Sequence, residues 1–394
     1  MKILHVGKYF PPYAGGMETY LRDLMAAQAR QGLDTAALVH QSDIGFNSQH
    51  ERYQAGEQQL SVTRAAVWAR FLFTPISLTF PWLLNRLIQQ KKPDILHLHM
   101  PNVSVFWALL LPSARKTPWV VHWHADVLAS EHSVGLRLFY RLYRPFEGAI
   151  LRHAKAIVAT SPPYLASSKP LAAHREKCHT IPLGLDPSKL MAAATVKTPE
   201  HEQGSPQPRL RVLAIGRLTY YKGFEFLIRA AADVDNIDVY LVGRGDEESR
   251  LKALCIELGL AGRVHFLGQL SDQQLAEQFA TCDCLCLPSI ERTEAFGMVL
   301  LEAMYCRKVT LVSDVPGSGM GWVVDEGRTG LKLPPENTRA LSDALQNLEQ
   351  NRDKMKALGE GGRQRFDQLF HIDQSAADIA DLYRQVRGVC SAQF

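Results

Sequence analysis

Along the first half of the chain, short apolar runs alternate with stretches whose apolar residues recur at helical spacing. Lys2 to Gly7 is apolar and runs into a turn-rich loop, which predicts a first strand. Met17, Tyr20, Leu21, Leu24, Met25 and Gln28 then fall every three or four residues and Gly32 follows as a stop, which predicts a helix. Further strands are expected at Thr35 to His40, Asp94 to His99, Trp119 to His122 and Ala156 to Thr160. Several are apolar nearly throughout, as strands covered on both faces of a parallel sheet are.

From Met191 to Pro208 the pattern breaks into Ala-rich and then polar, Pro- and Gly-containing sequence, which reads as a linker. The alternation then restarts, with strands expected at Arg211 to Ile215, Ile237 to Val242, Val264 to Leu267 and Cys282 to Leu287, and helices from Gly223, Glu247 and Asp272. The expectation is an α/β protein of two Rossmann-like domains, residues 1–190 and 211–370, joined by a linker at 191–210. A C-terminal helix in 371–394 is expected to pack back on the N-terminal domain. Ligands of open parallel sheets sit beyond the carboxyl ends of the strands, so two such domains are expected to face each other across a cleft lined by strand-to-helix loops.

Composition narrows this picture. A chain of 394 residues is too long for one ordinary core, and 46% hydrophobic with 21% charged residues is the balance of a folded protein. A net charge of +4 does not suggest a nucleic-acid binder. No stretch offers the roughly 18 apolar residues of a spanning helix; Ala65 to Ile88 is broken by Arg70, Pro75, Pro81 and Arg86. The start lacks the pattern of a signal peptide, so a cytoplasmic location is expected. Seven cysteines then read as free thiols. Cys282, Cys284 and Cys286 repeat every second residue, as in a buried strand, and not at metal-ligand spacing.

One region departs from the average. Between Ser133 and Lys155, Arg137, Arg141, Arg144, Arg152 and Lys155 face the single acid Glu147 and are interleaved with Leu136, Leu138, Phe139, Tyr140, Leu142, Tyr143 and Phe146. Such a helix suits peripheral contact with an anionic membrane, here the inner membrane surface; a packed helix with a solvated basic face is the other reading.

The loops carry the candidate chemistry. Gly15 and Gly16 stand where the first helix begins and would let a phosphate approach its backbone N–H groups, although a tight turn explains the pair equally well. His122-Trp123-His124-Ala125-Asp126 follows a strand directly; a metal would need a third ligand that the sequence does not identify, and a histidine capping a turn is the rival. Arg217 and Lys222 flank the loop Gly216 to Gly223 at a helix start, where two cations suit a diphosphate. The strand ends around Gly243 and Leu267 would admit a flat base. Finally, Glu294 and Glu302 in Glu-Ala-Phe-Gly-Met-Val-Leu-Leu-Glu are eight positions apart, about 80° on an ideal helix, so Glu294 is placed in the loop and Glu302 in the helix.

In this order the segments resemble the family 4 glycosyltransferases, which have the GT-B fold and retain anomeric configuration. The resemblance spans essentially the whole chain: Gly15-Gly16, Pro93 to His99, the His124 loop, Ile181 to Asp186, Gly216-Arg217, Lys222-Gly223 and the Glu-x7-Glu segment. Leu183 departs from it where Asn is frequent. The resemblance implies Arg217 and Lys222 on the diphosphate of a nucleotide-sugar donor, Glu302 on its ribose and Glu294 on the transferred sugar. Backbone amides from Ala295 through Phe296 and Gly297 to Met298 would lie near sugar and phosphate, His124 beside the donor sugar, and Gly16 near phosphate or acceptor. It further implies a saccharide or lipid-linked saccharide acceptor, a hexosyl group such as mannose from GDP-mannose, and no metal or cofactor. Asp233-Val234-Asp235 then reads as a turn between helix and strand and not as a metal site. A sugar-nucleotide epimerase and a silent carbohydrate-binding protein on the same fold stay open as alternatives.

Overall fold

The computed structural model describes residues 1–13, 15–71, 74–127, 134–191 and 209–391. The chain divides into two compact units, Met1–Gly184 with Ile372–Phe394, and Leu185–His371.

The first unit is built on an eight-stranded sheet. Its strands are β1 (Lys2–Val6), β2 (Asp34–His40), β3 (Gln49–Ala55), β4 (Gln58–Ala65), β7 (Ile95–Met100), β8 (Trp119–Trp123), β9 (Ala156–Ala159) and β10 (Cys178–Thr180), in the order β10-β9-β8-β7-β1-β2-β4-β3. All neighbours are parallel except β3 and β4. Strands β7 and β8 are buried at every position, which is why they read as nearly continuous apolar runs. The edge strand β3, Gln-His-Glu-Arg-Tyr-Gln-Ala, is half solvated and carries no apolar run, so nothing in its pattern announced it. A separate hairpin pairs β5 (Ala69–Phe71) with β6 (Thr74–Ile76).

Helix Gly16–Arg30 starts where the glycine pair predicted and ends before Gly32, whose φ of 81° is left-handed backbone. The long C-terminal helix Ile372–Ser391 packs against it. Tyr20 Oη lies 3.0 Å from Ser375 Oγ, Gln28 Nε2 donates to Tyr383 Oη at 3.2 Å, and Arg30 pairs with Asp373 at 2.7 Å.

The second unit is a wholly parallel six-stranded sheet of β11 (Leu210–Ile215), β12 (Ile237–Val242), β13 (Val264–Gly268), β14 (Cys284–Leu287), β15 (Val309–Ser313) and β16 (Gly330–Leu333). The order β13-β12-β11-β14-β15-β16 reverses between β11 and β14. Such a reversal opens a crevice at the carboxyl ends of the two strands, where ligands of doubly wound sheets bind. One face of the sheet is closed by helices Phe224–Ala232 and Thr338–Gln350 through Phe224, Leu227, Ile228, Leu341 and Leu345, all buried with Val212, Val239 and Leu311.

Several expectations shift. The units divide at Gly184 and Leu185 and not after 190, because Leu185 N already bonds to Phe370 O of the second unit. Most of the expected linker, 192–208, lies outside the described residues. The strand expected from Cys282 begins at Cys284, since Cys282 N still accepts the role of cap for helix Asp272–Thr281, donating to Gln278 O. The basic helix spans Val134–His153; Ser133 lies outside the described residues. Asp233 caps helix Phe224–Ala232 and its carboxylate accepts from Ser342 Oγ at 3.1 Å. Among the described residues no helix is long and apolar enough to cross a membrane.

Candidate functional site

The loops at the β11/β14 reversal are tied together by their own backbone. After β11 the chain turns through Gly216 to Gly223 into helix Phe224–Ala232; after β14 it runs from Pro288 to Gly297 into helix Met298–Tyr305. Ile290 N donates to Tyr221 O at 2.8 Å, and Tyr220 Oη donates to Glu291 Oε1 at 2.8 Å. Gly223 has φ 65°, and a Cβ there would overlap the carbonyl oxygen of Pro288, so only glycine lets the two loops meet. The loop after β12 joins them: Gly216 N bonds to Val242 O at 3.0 Å, Leu218 N to Arg244 O at 3.0 Å, and Gly243 N to Gly268 O at 2.8 Å. A Cβ on Gly243, φ 132°, would overlap Gly216 O.

Lys222 and Glu294 meet inside this frame. Nζ and Oε2 are 2.5 Å apart, with the side chains only 10% and 14% exposed. A pair this sheltered is strong only while both partners stay. Glu294 sits in the loop, its N bonded to Glu291 O at 3.1 Å and its carbonyl accepting from Ser318 Oγ at 2.5 Å. Glu302 is half-buried within helix Met298–Tyr305, the separation that the eight-residue spacing called for. Gly297, φ 80°, is the cap of that helix, so the backbone N–H groups from Met298 onward open toward the loop. Phe296 holds the loop from beneath, buried beside Phe370 and Trp322 at ring distances of 6.1 and 6.5 Å; Ala295 is buried next to it, and its carbonyl accepts from Gly319 N at 2.8 Å. Arg217 is exposed at the mouth of the first loop, and Leu267 is half-buried at the end of β13. This arrangement offers two cations, two carboxylates and a helix start around one strand reversal. It is the composition that holds an anionic, hydroxyl-rich ligand.

The remaining expected residues lie in the first unit. Gly16 is exposed as the first residue of its helix. His124 is buried and is part of a feature that the motif reading missed. His5 of β1, His97 and His99 of β7, His122 of β8 and His124 directly after it are all buried on one face of the sheet. The third imidazole near His122 and His124 is His99, while Asp126 turns to Trp123 Nε1 at 2.8 Å and Ser168 Oγ at 2.7 Å. The period-two pattern His97-x-His99 and His122-x-His124 was the available signal, since on paired strands it puts all four on one face.

Burial pushes His5 down to about 4 and His124 to about 3, and holds His97, His99 and His122 well below the usual imidazole range, helped by repulsion from neighbouring histidines. Two sets of three, His5 with His97 and His99, and His99 with His122 and His124, hold ring nitrogens within 4.8 Å of one another, and in the first His5 Nδ1 is already 3.1 Å from His99 Nε2. However, His122 and His124 stack at 4.3 Å with planes 2° apart, and the His99 and His122 planes differ by 14°. Rings stacked in parallel planes do not aim in-plane lone pairs at one ion, and His99 Nδ1 is already 3.0 Å from His124 Nε2.

The family described as "Glycosyl transferases group 1" matches residues 197–365, and the "Glycosyl transferase 4-like domain" matches 15–184. O-antigen chain mannosyltransferase C of Escherichia coli is 30% identical over 387 residues, 97% of this chain and 98% of that protein. D-rhamnosyltransferase WbpZ of Pseudomonas aeruginosa is 30% identical over 94% of this chain and 92% of its own. Among solved structures, sucrose-phosphate synthase from Thermosynechococcus elongatus superposes with a TM-score of 0.80 at 24% identity, covering 98% of this chain and 99% of that one. WaaG, a glycosyltransferase involved in lipopolysaccharide biosynthesis, gives 0.69 at 21% over 96% and 99%. At these identities the two structures speak for the fold alone.

Proposed function

Because the chain belongs to the GT-B glycosyltransferases of the family 4 type found in bacterial polysaccharide synthesis, we propose that it is a retaining hexosyltransferase using a nucleoside diphosphate sugar. The observation that carries this reading is the sheltered Lys222–Glu294 pair at the β11/β14 reversal, beside the start of helix Met298–Tyr305. In the proposed reaction Lys222 and Arg217 bind the diphosphate and stabilise the charge that grows on it as the glycosidic bond breaks. The backbone N–H groups from Ala295 to Met298 add to this field. Glu294 accepts hydrogen bonds from hydroxyls of the transferred sugar, Glu302 from the ribose, and the strand ends at Gly243 and Leu267 flank the base. His124 is assigned to the transferred sugar and Gly16 to phosphate or acceptor, both by resemblance. The acceptor hydroxyl attacks the face that the diphosphate leaves, so configuration is retained.

The relatives named above as mannosyl- and rhamnosyltransferases support a hexosyl donor such as GDP-mannose and a saccharide or lipid-linked saccharide acceptor. Helix Val134–His153 supports peripheral contact with an anionic membrane: Leu138, Leu142 and Phe146 are 63%, 68% and 50% exposed at four-residue spacing, and Arg141 and Arg144 are exposed beside them. Anionic vesicles at low salt are expected to retain the protein, and absence of binding there removes the membrane from the reading. For the donor, a screen of nucleotide sugars by thermal stabilisation is the direct test, since a ligand of the native state raises its melting point. Release of nucleoside diphosphate from the stabilising sugar is expected, and an isomerised sugar from donor alone would make the protein an epimerase.

A further inference from the structure

The buried histidines form a directed chain of hydrogen bonds. It starts at Gln28, fully buried in helix Gly16–Arg30, whose Oε1 lies 2.9 Å from His5 Nε2. A carbonyl oxygen only accepts, so the proton is on His5 Nε2. A neutral imidazole carries one N–H, which leaves His5 Nδ1 as an acceptor, 3.1 Å from His99 Nε2. His99 therefore donates through Nε2 and accepts at Nδ1, 3.0 Å from His124 Nε2. His124 donates there in turn, and its Nδ1 is left as a buried lone pair with no partner.

On its other side Gln28 ties the chain to the C-terminal helix. Gln28 Nε2 donates to Tyr383 Oη at 3.2 Å, which leaves the Tyr383 hydroxyl its own proton to give to the neighbouring His97 Nδ1. Turning the Gln28 amide over would reverse every bond from Gln28 to His124 at once. Polarity is thus one all-or-none property of the chain. His122 lies outside it; both its nitrogens are unpartnered and it serves by stacking on His124.

We propose that Gln28 and Tyr383, acting through His5 and His99, are positioning residues that fix His124 as the Nε2–H tautomer and so present its Nδ1 as a hydrogen-bond acceptor. Resting on the assignment of His124 to the transferred sugar, this makes the histidine a partner for a sugar hydroxyl that donates, complementary to a neutral ring and not to a general acid. It also gives the C-terminal helix a task beyond closing the first unit, because Tyr383, through which the chain passes from Gln28 to His97, belongs to it.

The test is the histidine tautomer pattern of the full-length protein, read by long-range proton–nitrogen correlation near neutral pH. His5, His99 and His124 are all expected as Nε2–H; an Nδ1–H form of His124 overturns the proposal. Tyr383→Phe frees the Gln28 amide, so the His124 nitrogen shifts are expected to move to values averaged over both tautomers. Turnover of GDP-mannose or UDP-glucose, whichever stabilises the protein, should fall about tenfold, the loss of one hydrogen bond. Nucleoside diphosphate affinity should not change. Adding Gln28→Glu to Tyr383→Phe, so that residue 28 can only accept from His5, is expected to bring back the Nε2–H form and restore turnover. An unchanged His124 tautomer in Tyr383→Phe overturns the proposal even where activity drops. If the tautomers are as stated but His124→Ala turns over normally, the chain stands and the placing of His124 at the sugar fails.

Discussion

Strands β7 and β8 of the first unit and β14 and β15 of the second are built to the same rule and filled differently. All four are parallel and buried at every position. The first pair holds imidazoles under helices Gly16–Arg30 and Ile372–Ser391, while the second holds thiols and aliphatic side chains, with Cys284 and Cys286 in the core. Burial neutralises both kinds of group, pushing the imidazoles down and the thiols up. The consequences diverge because a neutral imidazole is a base awaiting a proton and a neutral thiol is an acid already holding one. The first core is therefore polar, directional and open to acid; the second is indifferent to acid and leaves the charged work to the loops above it.

The sharpest separation of these roles is expected at the second unit's loops. Lys222→Ala and Glu294→Ala should each lower turnover by about 10²–10³-fold, the usual cost of removing one charged group that stabilises a transition state. The histidine tautomers of the first unit should not change in either variant. Turnover close to wild type in a folded Glu294→Ala protein would remove the Lys222–Glu294 pair from the site.

Acid is the next largest lever. The folded-state values of His5, about 4, and His124, about 3, lie below the ordinary 6.5, so the unfolded chain binds more protons between these limits. Their contribution is whole above 6.5 and is lost as pH falls toward 4, about 3 kcal/mol for His5 alone. Glu147 works in the opposite sense: burial raises it to about 7, so it favours the folded state more as pH falls. One carboxyl set against several imidazoles leaves acid destabilising. Hydrogen-exchange protection in β1, β7 and β8 is expected to drop between about pH 7.5 and about pH 5 while β11, β14 and β15 keep theirs. Equal loss in both sheets would break the comparison.

How much of this was legible follows the same division. Apolar runs announced β7, β8, β12 and β14 because strands covered on both faces need little else, and Glu294 and Glu302 separated into loop and helix from spacing alone. The edge strand β3 could not be read, since its polar side chains face water. The histidine chain was missed for another reason. His5, His97 and His124 are far apart in sequence and become neighbours only through the parallel register of β1, β7 and β8. Gln28 showed as one more position on a helical stripe; that its amide meets Tyr383 depends on a contact 355 residues away.

Two glycines bring the comparison down to the backbone. Gly243→Ala in the second unit meets two penalties, a left-handed φ of 132° and overlap with the Gly216 carbonyl. A loss of about 2–4 kcal/mol is expected in urea titration, together with weaker nucleoside diphosphate binding, because the loops after β11 and β12 must part.

Gly32→Ala in the first unit is the control. Its φ of 81° is also left-handed, but a Cβ there points into open space and touches nothing within 4 Å. Only the left-handed backbone opposes the substitution, about 1 kcal/mol. Gly32→Asn should cost less still, because asparagine tolerates that conformation at a helix end. Neither change should alter turnover, since the strain ends with the turn and reaches no loop that holds ligand. A Gly32→Ala variant as damaged as Gly243→Ala would mean that the positive φ, and not the meeting of two loops, governs both positions.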